Sequence, residues 1–123
     1  MRRGVLFKTK RIAEEWPSVY PPLRVRLTML ADMVNNELGK PLTVTCLTRT
    51  PEENAKVKGK PDSLHMSSPV RAVDIRTTQW VDKKPVALFT TEEAMRILLF
   101  WRKGGRGFGG QEESDHIHLQ CKP

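Results

Sequence analysis

Leu23, Leu27, Leu30, Val34 and Leu38 recur at spacings of four, three, four and four, which places all five on one face of an α-helix. Pro22 suits the first turn of that helix and Gly39 its end. Such a helix has an apolar face that must be buried against another element. The partners are strand-like. "LTVTCLT" (42–48) alternates and is rich in β-branched residues, "VRAVDIR" (70–76) follows the same rule, and "HIHLQC" closes the chain. Thr90 and Glu93 form a capping box, predicting a second helix to about Lys103 that buries Ala94, Ile97, Leu98 and Trp101. Helices and strands mix without regular β-α alternation, which predicts an α+β fold: a small antiparallel sheet packed with helices.

The remaining stretches connect these elements. A short N-terminal element ends at Trp16, and the prolines of "PSVYPPL" make a rigid connector. Residues 50–69 read as a long polar loop, a kind of segment that is usually functional or disordered. "TTQWVDKKPVALF" links the second strand to the second helix. "GGRGFGG" (104–110) reads as a flexible turn, without the strand-to-helix context of a phosphate loop. No repeat, low-complexity tract or linker divides the 123 residues, so a single domain, 1–123, is expected.

The net charge of +7 calls for an acidic partner. Its basic residues are scattered, from Arg2 and Arg3 through Lys56, Lys58 and Lys60 to Arg106. They lack the aromatic interleaving on which single-stranded nucleic acid stacks. By itself the charge does not choose among nucleic acid, an anionic cell wall, a membrane surface and a merely soluble basic face; an anionic wall is the expected partner and nucleic acid the less expected one. No apolar run reaches the length of a membrane span. "MRRGVLFKTKRIAEEW" lacks the apolar core of a signal peptide, so synthesis in the cytoplasm is expected. Cys46 and Cys121 could face each other only if their segments pair as strands, and reduced thiols are the default.

His116 and His118 lie two apart on the last strand, so both rings point to one face. On the second strand Asp74 shares a face with Ala72 and Arg76, while Val73 and Ile75 point to the core. A carboxylate in such a strand must be paired or bound to a cation. With His65 from the polar loop, Asp74 and one histidine of "HIH" make two imidazoles and a carboxylate. That set binds zinc and leaves a fourth position for water, as in catalytic sites.

Three ordered elements carry a resemblance: "TCLTRTPEEN" with Arg49, "SLHMSSPVRAVD" with His65 and Asp74, and "DHIH" at 115–118. Over residues 42–121 the chain resembles the zinc D-Ala-D-Ala carboxypeptidases and dipeptidases of M15 type. That family includes phage L-alanyl-D-glutamate endopeptidases and shares the Hedgehog fold. Its pattern runs from an arginine-containing turn through S-x-H-x-x-G-x-A-x-D to a late E/D-x-x-H. Here eight residues separate His65 from Asp74 where the pattern has six, the pattern glycine is absent, and Asp115 stands where glutamate is commoner.

The resemblance implies His65, Asp74 and His118 as ligands of a Zn2+ ion, Asp115 as catalytic base and Arg49 as partner of the oxyanion. His116 becomes a secondary residue near the substrate, and Ser63 a local hydrogen-bonding residue of the His65 loop. For Asp115 to serve, the last strand must begin after it. The expected function is that of a zinc metallopeptidase cutting peptidoglycan stem peptides, an endolysin-like endopeptidase of a phage or prophage. It would reach the wall after lysis or holin-type release. The alternatives are a D-Ala-D-Ala carboxypeptidase and, from another class, a non-catalytic metal-stabilised module that binds wall or nucleic acid.

Overall fold

The computed structural model describes residues 3–123; Met1 and Arg2, the latter among the scattered basic residues, lie outside it. Thirteen elements are described, beginning with β1 (Val5–Phe7), α1 (Lys10–Glu15) and a 3-10 turn at Trp16–Ser18. The predicted long helix is α2 (Pro21–Glu37), and Gly39 follows it with a φ of 66°, a conformation open to glycine at little cost. Leu23, Leu27, Leu30 and Val34 are fully buried. Then come β2 (Leu42–Cys46), α3 (Pro51–Lys56), a 3-10 turn at Leu64–Met66, β3 (Ala72–Arg76), and a hairpin of β4 (Thr78–Val81) and β5 (Lys84–Ala87). α4 (Thr91–Arg102), β6 (Phe108–Glu112) and β7 (His116–Cys121) complete the chain.

Five strands form one sheet in the order β1-β2-β3-β7-β6. β1 runs parallel to β2, and every other pair is antiparallel. The sheet is thus mixed at one edge, where sequence predicts a purely antiparallel one. Leu42, Val44, Val73, Ile75, Ile117 and Leu119 bury one face against α2 and α4, with Trp101 of α4 at the centre. Burying each such aliphatic side chain contributes about 1.5–3 kcal/mol.

Three connections differ from expectation. Residues 50–69 are not all loop: Thr50 and Glu53 form a complete capping box, and Pro51 opens α3 behind it. "TTQWVDKKPVALF" folds into the β4–β5 hairpin, whose turn residues Asp82 and Lys83 both have positive φ. That turn lacks the usual glycine, which is why the sequence hides it. The second half of "GGRGFGG" is strand, since Phe108 to Gly110 pair with β7. In α4, Leu98 is only partly buried against the core. No described helix is long and apolar enough to cross a membrane.

Candidate metal centre

β3 and β7 bring the polar face together by register. Asp74 lies opposite His118 and Arg76 opposite His116, so side chains of alternate residues share the face turned from the core. β7 begins at His116, which leaves Asp115 just outside the strand. His65 arrives from the 3-10 turn, where Ser63 Oγ accepts its backbone N–H at 3.3 Å. The residues of the longer His65–Asp74 connection are tied down locally. Ser67 Oγ donates to the Leu64 carbonyl at 2.7 Å and accepts the Arg71 N–H at 3.1 Å.

Asp74 is the hub. It is 3% exposed, and four side chains face it. His65 Nε2 lies 3.1 Å and His118 Nδ1 3.0 Å from its Oδ1. Arg49 Nη2 donates to Oδ2 at 3.3 Å, and His116 Nε2 lies 3.7 Å from the same oxygen. Arg49 therefore pairs with Asp74, while Glu53 pairs with Arg11. Burial alone would raise the Asp74 carboxyl, but hydrogen bonds from His118 and His65 hold it well below the usual carboxylate range. Burial likewise opposes charge on His65, yet the Asp74 hydrogen bond, with a smaller contribution from Cys46, lifts it from 6.5 to about 9.

The far nitrogens of both imidazoles are engaged. His65 Nδ1–H donates to the Leu47 carbonyl at 2.8 Å, and His118 Nε2–H to Gln120 Oε1 at 2.9 Å. With those protons fixed, the nitrogens aimed at Asp74 Oδ1 are lone pairs unless a second proton joins each ring. Two lone pairs converging on a carboxylate oxygen call for a cation, either two extra protons or one metal ion. Outer acceptors orienting ligand imidazoles in this way are the usual surroundings of a metal. The donor set therefore fits zinc.

Sequence reasoning missed three residues of this site. Gln120 had a usable signal, because alternation places it on the His118 face. Asn54 is 4% exposed, accepts from Arg49 Nη1 at 3.3 Å and donates to the Lys60 carbonyl at 2.9 Å. It therefore ties Arg49 to the loop above the site. A Cβ on Gly59 would stand 2.0 Å from Asn54 Oδ1, so only glycine fits there. Cys46 is the third: one donor atom from each of Cys46, His65 and Asp74 lies within 4.8 Å of the others.

A cleft of about 1090 Å³ opens beside the centre, lined by Arg49, Lys58, Lys60, Asp115, His116 and His118 among others. Asp115 is brought to His116, whose Nδ1 lies 2.7 Å from Asp115 Oδ1, and no contact joins it to His118 or Asp74. The Peptidase M15 family model matches residues 7–120. The chain belongs to the peptidase M15 family. No curated protein and no solved structure matches it. M15 peptidases are usually zinc-dependent, in keeping with the donor set around Asp74. The two cysteines of this M15 chain are free: Cys121 sits in the core on β7, and β3 separates β7 from β2.

Proposed function

We propose that this M15 peptidase hydrolyses peptide bonds within the stem peptides of bacterial peptidoglycan, with zinc held by His65 Nε2, an Asp74 carboxylate oxygen and His118 Nδ1. The observation that carries the reading is the convergence of both imidazole nitrogens on Asp74 Oδ1 beside a cleft whose lining includes Arg49, Lys58, Lys60 and Lys122 together with Asp62, Glu113 and Asp115. Zinc bound there would supply a Lewis acid that polarises the scissile carbonyl and brings the pKa of water towards neutrality.

The protein's own groups divide the remaining work. Asp115, with its side chain 75% exposed and Oδ1 engaged by His116, takes the proton of the attacking water on Oδ2. His116 stands between Asp115 and Asp74, where its ring orients the base and faces the reacting carbonyl. Arg49, steadied by Asn54, offers its guanidinium to the oxyanion. Ser63 takes no part in the chemistry and shapes the turn that presents His65. Lys58 and Lys60 place positive charge along the cleft for the carboxylates of a stem peptide.

The size of the cleft favours cleavage inside a peptide over removal of one terminal residue. About 1090 Å³ is slightly more than the sites that enclose a drug-sized molecule, which leaves room for more than a single terminal residue. The charge of the cleft supports a second reading, in which a terminal D-Ala carboxylate is the anchor. Digestion of purified peptidoglycan, with fragments identified by mass, decides between them. Internal cleavage gives shortened stems with new amino termini, whereas carboxypeptidase action gives free D-alanine only. Sedimentation of zinc-loaded protein with the wall, with no fragment released, would mean a binding module instead.

A further inference from the structure

The cleft beside the centre is lined by the segment from Val57 to Leu64 and, from the sheet, by Gly110 and Gln111 of β6 among others. Register decides which β6 side chain faces it. Gln111 pairs with His118 and Gly109 with Gln120, and residues directly opposite in an antiparallel pair share a face. Gly110, between them, points the other way: a Cβ there would stand 2.9 Å from Leu119 Cδ2 and 3.0 Å from Leu98 Cδ2. A Cβ on Gly109 would meet nothing within 4 Å. Within β6, the face turned to the cleft is therefore bare except for Gln111.

The other amides of the site are spent inside the protein, Gln120 on His118 and Asn54 on Arg49. Gln111 is exposed and makes no side-chain hydrogen bond among the described residues. Its carboxamide offers two N–H donors and a carbonyl acceptor, the complement of the C=O and N–H of a peptide group.

We propose that Gln111 is a substrate-binding residue of the peptidase, whose carboxamide holds a backbone peptide group of the stem on the β6 side of the scissile bond. The proposal rests on the peptidase reading above and deepens it. On that reading the scissile bond lies beside the ion held by His118, and Gln111 stands directly across from His118 on the neighbouring strand. A stem crossing that point runs over β6 in one direction and towards the Val57–Leu64 segment in the other. Gly109 leaves room over β6 for the side chain of the residue whose backbone Gln111 holds. A peptide group away from the reacting carbonyl is held alike before and during reaction, so the contact acts on KM rather than kcat.

Steady-state kinetics of the zinc-loaded protein on a soluble stem pentapeptide provide the test. Gln111→Ala should raise KM about three- to tenfold, as loss of one neutral hydrogen bond does, with kcat within about twofold. Zinc affinity and melting temperature should not change, because the amide supports neither the ligands nor the core. Gly109→Val, which puts a side chain into open space beside Gln111, should also raise KM while zinc is retained. Unchanged KM in either variant would overturn the proposal. So would a loss of zinc affinity in Gln111→Ala, which would place the amide on the metal centre and not on the substrate. No turnover by unsubstituted, zinc-loaded protein would instead overturn the peptidase reading beneath the proposal, and the proposal with it.

Discussion

Gln120 Oε1 accepts the Nε2–H of His118 at 2.9 Å from two residues along the same strand, and this contact leaves His118 Nδ1 facing Asp74. The two side chains point the same way because β7 is regular, and the Ala72–Gln120 and Asp74–His118 register holds them over β3. Removing the acceptor frees the ring to rotate and to change tautomer. Gln120→Ala should therefore fold normally and bind zinc ten- to a hundredfold more weakly, as loss of an outer hydrogen bond to a ligand imidazole does. Zinc competition with a chromophoric chelator measures it, and unchanged affinity would deny Gln120 this role.

Asp115→Asn keeps the shape of the side chain and removes the proton acceptor. It should retain zinc, retain thermal stability, and lower turnover about a hundredfold or more. Turnover near that of the unsubstituted protein would pass the role to Glu113, which also lines the cleft.

The His65–Asp74 pair sets a pH window for the metal-free protein. His65 is raised from 6.5 to about 9 on folding, so its contribution is complete below pH 6.5 and lost as pH rises towards 9. Asp74 is lowered from 3.8, so its contribution is complete above that value and lost as pH falls below it. Thermal melting in excess chelator should accordingly show a plateau between about pH 4 and 6.5 and a falling melting temperature from 6.5 to 9. His65→Gln should flatten the alkaline decline. A melting temperature that rises across that interval would contradict the pairing.

Gly59 approaches Asn54 so closely that a methyl group would stand 2.0 Å from Oδ1. Gly59→Ala must push Asn54 aside and release Arg49, at a cost of about 1–3 kcal/mol, as overpacking does. Urea unfolding should show that loss, and turnover should fall with it because Arg49 is no longer steadied.

Periodicity made much of this fold legible. The leucine spacing of α2, the capping box of α4 and the whole of β7 stand where the sequence places them. His65, Asp74 and His118 also converge, because β3 and β7 are read by simple alternation and pair directly. What stayed hidden depends on departures from a regular period. In β2, Val44 pairs with Ile75 and Cys46 with Asp74, a bulge that re-aims Cys46, and nothing in "LTVTC" marks it. The β4–β5 turn uses Asp82 and Lys83 at positive φ in place of glycine. The short β1 joins the sheet in parallel, a pairing made with residues some 37 positions away, which no local pattern records. α3 is the exception, since Thr50, Pro51 and Glu53 spell a helix start inside what reads as loop.

Zinc titrated back into stripped protein tests the central claim most directly. Chelator-treated protein should release no new amino termini from purified peptidoglycan. Activity should return in proportion to added zinc, with a plateau at one equivalent per chain, and His65→Ala and His118→Ala should recover little at that stoichiometry. Undiminished release by protein shown to be free of metal would contradict the account.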